Sequence, residues 1–321
     1  MNFSATADRL PRSPPISVIP SEVEESLILN AAIKVQRCLD FARHDKAVRR
    51  RCFGEARCMR IAVAQISCSL GDPEANLLKV RDFSRRAKDE AGAELIVFPE
   101  MTDTGYSMSV IREHASDWTN GFVPGVQEIA KRISIAIVSG VSERDGPSIY
   151  NSQVFVDSQG NIAATYRKAH LYAVAPVEEQ TCFAPGNAFA SFVLGDLRFG
   201  FSICYDLRFP ELFRNLITEQ NVHAFLLSSA WPFPRDEHFR VLAQARAIEN
   251  QSYVIASNRV GKDDDLWFCG SSAIIDPRGV VIAAASADRE ELILADLSED
   301  LVLSVRRRVA SLGHRRQDLY R

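Results

Sequence analysis

Apolar and polar positions change period several times along this chain, and those changes mark out its elements. From Arg60 onward a short β-branched run, "RIAVAQI", gives way to "PEANLLKVRDFSRRAKDEAG", whose leucines, valine and phenylalanine recur at helical spacing, and then to "AELIVFP". Short apolar runs read as buried strands, and apolar residues three and four apart read as one face of a helix, so this is a strand-helix-strand unit. Further strands read at "SIAIVSG", "NSQVFVD", "NIAATYR", "ASFVLG", "LRFGFSI", "HAFLLSSA", "SYVIASN", "SAIIDP", "GVVIAAA" and "LILADL". Helices read at "GVQEIAKRI", "PELFRNLITE", "DEHFRVLAQARAIEN" and "SEDLVLSVRRR". Many strands with helices between them predict an α/β domain whose sheet is covered by helices. Hairpin signals in "DSQGN" and "DPRGV" predict that part of the sheet is antiparallel.

The first 58 residues follow a different pattern. "RLPRSPPISVIPSEVEES" is rich in Pro and Ser, and although Ser21 with Glu24 offers a cap for a helix through "SLILNAAIKVQRCLDFA", the stretch ends in the basic run "KAVRRRCFGEAR". Residues 1–58 are expected to be an appended extension, poorly ordered or partly helical, with Met59 a candidate natural start and 59–321 the folded domain. A targeting peptide is disfavoured by the glutamates of "SEVEES", because transit peptides are poor in acids.

Composition narrows the partners. With 46% hydrophobic and 25% charged residues the chain has the apolar content for a large core, and a net charge of −3 gives no overall basic field for nucleic acid or lipid headgroups. A small-molecule substrate is expected, with no nucleic acid and no membrane partner. No apolar run reaches the 18 to 20 or so residues of a membrane span and no secretory signal opens the chain, so the expected location is cytoplasmic. Seven cysteines, at 38, 52, 58, 68, 182, 204 and 269, are odd in number and contain no CxxC pair, which argues against a disulfide framework and a zinc cluster.

Three predicted strand ends carry groups that chemistry uses, and rigid strand ends facing a crevice are where α/β folds place such groups. "LIVFPEMTDTGYS" ends an apolar strand at Pro99 and then places Glu100, where burial tends to raise a carboxylate pKa. "ATYRKAHLY" places Lys168 after a strand, with His170 two residues on and on the same face if the chain is extended. "FGFSICYDLRFPE" puts Cys204 where a strand runs into a turn and a Pro-started helix, a setting in which N–H groups and cations can activate a thiol. Each group taken alone is more often a cap, a surface lysine or a small buried hydrophobe. His170 stays open at this point as a Cys-His partner.

The ordered set Glu100, Lys168, Cys204 resembles the nitrilase superfamily of carbon-nitrogen hydrolases. "VFPEM", "YRKAHL", "CFAPGN", "ICYDLRFPE", "RAIENQSYV", "NRVG" and "HRRQDLY" stand in that family's order across residues 60 to 321, and "CYDLRFPELFRN", "WPFPR" and "ARAIENQ" are similar to its amidase branch, which includes the omega-amidases. The resemblance implies a four-layer αββα sandwich, association into homodimers or higher oligomers, and no cofactor or metal. It implies Cys204 as nucleophile, Glu100 as general base and later acid, Lys168 as the oxyanion's cation and the Tyr205 backbone N–H as its companion donor. A second family glutamate falls on Glu178 or Glu179, with Glu179 favoured by counting back from Pro185. His170 then takes a structural role.

Around the nucleophile, Asp206 and Arg208 are expected to pair with each other or with neighbours, with Arg208 also a candidate for a substrate carboxylate. Trp231 and Phe233 are candidate pocket walls, with Trp231 favoured because its strand should end beside that of Cys204, and His238 reads as a helix-start residue. The implied reaction hydrolyses a small linear amide, an omega-amide of a dicarboxylic or 2-oxo acid, through a cysteine thioester. An N-carbamoyl amino acid hydrolase is the alternative, and a non-catalytic scaffold using the same pocket is the reading from another class. Nitrile hydrolysis is disfavoured because that branch follows its cysteine with Trp-Glu where this chain has Tyr205-Asp206. The tail before "HRRQDLY" lacks a proline common in the family.

Overall fold

The computed structural model describes residues 58–320, so the expected extension and its capped helix lie outside the described residues, apart from Cys58. In chain order the first strands are β1 (Met59–Gln65), β2 (Leu95–Val97), β3 (Ala136–Asp145), β4 (Ser148–Val156) and β5 (Ile162–Arg167). They are followed by β6 (Ser191–Leu194), β7 (Leu197–Ile203), β8 (Ala224–Ser229) and β9 (Tyr253–Asn258). The last are β10 (Lys262–Asp263), β11 (Leu266–Trp267), β12 (Ala273–Ile275), β13 (Val281–Ala284) and β14 (Glu291–Leu297). The helices are α1 (Pro73–Arg85), α2 (Met108–His114), α3 (Phe122–Ile133), α4 (Pro210–Gln220), α5 (Asp236–Asn250) and α6 (Glu299–Arg308).

Two six-stranded sheets form, in the orders β14-β1-β2-β3-β4-β5 and β13-β12-β9-β8-β7-β6. In each, three central strands run parallel and the flanking strands pair antiparallel, two of them through the hairpins predicted at "DSQGN" and "DPRGV". Alternation along β1 and β2 sends Ile61, Val63, Leu95 and Val97 to a core shared with Phe201, Ile203 and Leu226 of the other sheet. Their neighbours Ala62, Ala64 and Ile96 face Val80 and Phe83 of α1 and Val126 and Ile129 of α3. This is the period-2 division expected of a strand buried on both faces. On the other side Leu212, Phe213, Phe239 and Ala247 bring α4 and α5 onto the second sheet. The result is the helix-sheet-sheet-helix sandwich that the resemblance implied, with each large core side chain contributing about 1.5–3 kcal/mol.

Polar side chains tie the two sheets where the apolar core stops. The Ser228 hydroxyl donates to the Phe98 carbonyl at 2.8 Å and accepts from the Gln153 amide at 2.8 Å, and the Ser257 hydroxyl donates to the Ala64 carbonyl at 2.8 Å. Two features were not predicted. The short helix α2 and the β10–β11 ribbon have no sustained period to read, the ribbon being two-residue strands inside "KDDDLW". The long predicted first helix also changes: α1 is capped by Asp72, whose carboxylate accepts from Ala75 N–H at 2.9 Å, and after Arg85 it passes into a π-helical turn over Arg86–Glu90. Among the described residues no helix is long and apolar enough to cross a membrane.

Candidate active site

The three strand ends each hold their functional residue through a specific local device. After β2 the chain turns at Glu100 against β3, where Gly140 N–H donates to Pro99 O at 3.0 Å and Thr102 N–H donates to Gly140 O at 2.8 Å. A Cβ at position 140 would lie 2.5 Å from Glu100 Cα and 2.6 Å from Pro99 O, so this approach requires glycine. Lys168 follows β5, donating from its N–H to Asn151 O and accepting at its carbonyl from Gly186 N–H, both at 2.8 Å. A Cβ on Gly186 would sit 2.1 Å from Arg167 O, which explains the glycine of "CFAPGN".

Cys204 ends β7 and opens a 3-10 turn, Cys204–Arg208, with a left-handed φ of 41°. Such a backbone costs a non-glycine residue on the order of 1–2 kcal/mol, and it persists only where neighbours fix it. Asp206 supplies that constraint. Its buried carboxylate accepts from Ile203 N–H at 2.9 Å, the Tyr166 hydroxyl at 2.8 Å and His170 N–H at 3.1 Å, and lies 2.7 Å from His170 Nδ1. The Tyr205 N–H occupies the second position of this turn, where helical N–H groups have no intrahelical acceptor.

Behind the thiol, the side chains of Glu100, Lys168 and Glu179 are fully buried and joined. Lys168 Nζ donates to Glu100 Oε1 at 2.9 Å and to Glu179 Oε1 at 2.8 Å, leaving one of its three N–H bonds uncommitted. Asn151 Nδ2 bridges the same two oxygens at 2.7 and 3.1 Å. Ala230 N–H donates to Glu100 Oε2 at 2.8 Å. Glu179 also accepts from the Tyr106 hydroxyl at 2.6 Å and from Tyr172 N–H at 2.7 Å. Burial raises Glu100 above the ordinary glutamate range, a shift that Glu179 reinforces and Lys168 opposes. Burial alone would depress Lys168, but Glu100, Glu179 and Cys204 outweigh it and hold the ammonium above its ordinary range. Burial first, and the Glu100 charge second, push the Cys204 thiol well up, with Lys168 pulling it down. The resting sulfur is therefore a thiol whose proton must be taken as it reacts.

Cys204 opens onto a pocket of about 410 Å³, solvent mouth included. Its walls include Tyr106, Trp231, Leu266 and Phe268, and two arginines, Arg208 and Arg235, line it as well. Trp231 is held from three sides: its N–H donates to Asn258 Oδ1 at 2.7 Å, its Nε1–H donates to Arg235 O at 2.8 Å, and the Arg208 guanidinium lies 4.8 Å from its ring centroid. Tyr106 is pinned through its N–H to Asp263 Oδ2 at 2.7 Å, and Asp263 is in turn paired with the buried Arg259.

Set against the sequence, the structure brings Glu100, Lys168, Cys204 and Glu179 together. Glu178 is exposed, whereas Glu179 reaches Lys168, and Trp231 lines the pocket while Phe233 is exposed and is not among its lining residues. His170 does not share the inward face with Lys168. The chain leaves the extended conformation after Arg167, and the imidazole instead pairs with Asp206 and stacks on Phe209 at 3.8 Å. Asp206 and Arg208 do not pair with each other; Arg208 Nη2 lies 3.3 Å from Nδ1 of the exposed His238. Burial pushes Cys68 to about 11 and Cys269 to about 12, as expected of inert structural thiols. Tyr106, Asn151, Arg235 and Asn258 were missed. Only Arg235, in the quoted "WPFPR", stood beside a residue singled out for the pocket.

Comparison with known proteins finds amide hydrolases among the chain's relatives. The chain is 33% identical to a 2-oxoglutaramate amidase of Bacillus subtilis over 81% of its own length and 98% of the relative's. It is 30% identical to the omega-amidase NIT3 of Saccharomyces cerevisiae, over 82% and 94%. A solved structure of a mutant amidase from Nesterenkonia sp. AN1 carries the acetamide moiety of fluoroacetamide on its active-site cysteine; it aligns with a TM-score of 0.72 at 27% identity, covering 82% of this chain and 95% of that one. The family described as carbon-nitrogen hydrolase matches residues 60–307, and with it this chain belongs to the carbon-nitrogen hydrolases of the nitrilase superfamily and is an enzyme of that class.

Proposed function

We propose that this enzyme hydrolyses the omega-amide of a small dicarboxylic or 2-oxo acid to the free acid and ammonia. The observation that carries the reading is the thiol of Cys204 at the base of a pocket with apolar walls and two guanidinium groups, backed by a buried Glu-Lys-Glu cluster. In this reading Glu100 takes the thiol proton as sulfur attacks the amide carbon, forming the C–S bond. The resulting oxyanion accepts from the uncommitted N–H of Lys168 and from the Tyr205 N–H. Glu100 returns the proton to nitrogen, the C–N bond breaks, and ammonia leaves a thioester. Water, deprotonated by Glu100, then releases the acid and restores the thiol.

Glu179 has a supporting role here. Its Oε1 accepts from Lys168, Asn151 and Tyr106 and its Oε2 from Tyr172 N–H, so in this reading it orients the lysine. Trp231 and Arg208 are substrate-wall residues, Arg208 facing the end of the molecule remote from the amide.

Arginines on the wall also suit an N-carbamoyl amino acid, whose hydrolysis would release carbon dioxide with the ammonia, so both gases are assayed. A homodimer or larger assembly is part of the reading, supported by the exposed Val241 and Ile248 on α5. A cytoplasmic location suits an enzyme that needs a reduced thiol. The test is ammonia release from the omega-amide of 2-oxoglutarate by the wild type and a Cys204→Ala variant. Turnover that is lost in the variant is expected; no turnover by folded wild type overturns the substrate assignment.

A further inference from the structure

The two arginines of the pocket reach it from different elements. Arg208 ends the nucleophile's own turn, four residues after Cys204. Arg235 belongs to "WPFPR" and sits immediately before the first residue of α5. Its backbone is fixed: its N–H donates to Pro232 O at 3.2 Å, while its carbonyl accepts from Trp231 Nε1–H at 2.8 Å and Phe239 N–H at 3.2 Å. Its side chain, by contrast, makes no ion pair and no hydrogen bond among the described residues, and Arg208 likewise has no acidic partner there. Among the described residues no aspartate or glutamate lines the pocket.

An anion entering such a pocket meets two cations on an otherwise apolar and aromatic wall. A substrate ammonium there meets two like charges and no carboxylate. Guanidinium groups bind carboxylates through paired N–H donors, and an apolar wall weakens the screening that would otherwise mask charge.

We propose that Arg235 is a specificity-determining residue that, with Arg208, binds the carboxylate remote from the scissile amide and rejects amides carrying an ammonium beside that carboxylate. The inference rests on the amidase reading above and sharpens it: omega-amides of dicarboxylic and 2-oxo acids are substrates, and omega-amides of 2-amino acids, such as glutamine, are excluded by charge.

The test uses the full chain and four amides of the same carbon count: 2-oxoglutaramate, glutaramate, pentanamide and glutamine. Ammonia release is followed for wild type, Arg235→Gln and Arg235→Lys, with circular dichroism to confirm folding. Wild type is expected to prefer 2-oxoglutaramate over glutamine by on the order of 100-fold in kcat/KM. Arg235→Gln should lower kcat/KM for the two anionic amides about 10- to 100-fold, mostly through KM, as loss of a charge-assisted hydrogen bond requires. The ratio of glutaramate to pentanamide should fall with it, the preference over glutamine should narrow, and Arg235→Lys should recover part of both.

Failure takes distinguishable forms. If wild type turns over the anionic amides but Arg235→Gln keeps the wild-type ratio of glutaramate to pentanamide, or loses all amides equally, the assignment to Arg235 is overturned and the amidase reading stands. If folded wild type turns over neither anionic amide, the amidase reading falls and takes the inference with it. Should neither variant fold, protection of wild-type Cys204 from iodoacetamide decides: glutarate must protect and pentylamine must not, and equal protection overturns the inference.

Discussion

The floor and the wall of the pocket satisfy their charges on opposite terms. On the floor every carboxylate oxygen of Glu100 and Glu179 accepts at least one hydrogen bond, and Lys168 commits two of its three N–H bonds. On the wall Arg208 has a tryptophan face and a histidine nitrogen, and Arg235 has no side-chain partner among the described residues. Solvent explains why both arrangements hold. A fully buried ion left unpaired costs several kcal/mol, so the floor must be complete within the protein, whereas a partly exposed guanidinium is paid for by water until an anion displaces it. In the proposed reading the floor therefore serves one chemistry and the wall chooses substrates.

Removing the floor's cation should break this division most severely. Lys168→Met leaves two buried carboxylates facing each other, with an expected loss of about 3–5 kcal/mol in stability, and it takes away the proposed oxyanion donor, for an expected loss of at least about 100-fold in kcat. Urea unfolding and steady-state kinetics measure the two effects. A Lys168→Met/Glu179→Gln double variant should regain part of the stability and none of the turnover. A single variant as stable as wild type would mean that the floor is not held by its charges.

A smaller displacement comes from Gly140→Ala. The atoms that the new Cβ would meet, Glu100 Cα and Pro99 O, are backbone and cannot rotate away, so the turn carrying Glu100 must shift. Expected are a roughly 10- to 100-fold fall in kcat with KM little changed, because the wall is untouched, and a loss of about 1–3 kcal/mol. An unchanged kcat would show that Glu100, the proposed base, tolerates the displacement.

What was legible in the sequence follows the same division. Glu100, Lys168 and Cys204 could be read because each stands at the end of a predicted strand, and a charge or thiol at a strand end is a local signal. The strands were legible because strand period is local, whereas their division between two stacked sheets came from the resemblance. The choice between Glu178 and Glu179 had no local signal and rested on counting back from Pro185, because it depends on the register of a short 3-10 turn over Glu179–Thr181 that has no periodic pattern. His170 misled because residues two apart share a face only while the strand continues, and β5 stops at Arg167. Tyr106, Asn151 and Asn258 act through single polar atoms in otherwise buried surroundings, and one aromatic or amide in an apolar stretch is indistinguishable from packing until the acceptor it meets is known.

The smallest expected effect comes from a buried carboxylate that contrasts with the floor. Asp103 lies in the turn after Glu100, and its Oδ2 accepts from Ser142 N–H at 2.9 Å and Ser142 Oγ–H at 2.5 Å, with no cation paired to it among the described residues. Burial raises it to about 6 from an ordinary 3.8, its neutral donors only partly offsetting the loss of water. Because the folded-state value is the higher one, its contribution to stability is complete below about 3.8, declines as pH rises, and is gone above about 6. Asp103→Asn keeps an acceptor for Ser142 and removes the titration. Its stability relative to wild type should therefore improve by about 1 kcal/mol between pH 5 and pH 7.5, read from urea midpoints at the two pH values. A pH-independent difference would mean that Asp103 is ionised throughout that range. The neutral hydrogen bonds of one serine would then hold a buried carboxylate as well as Lys168 holds Glu100, and the need for a cation on the floor would have to be sought in catalysis instead of stability.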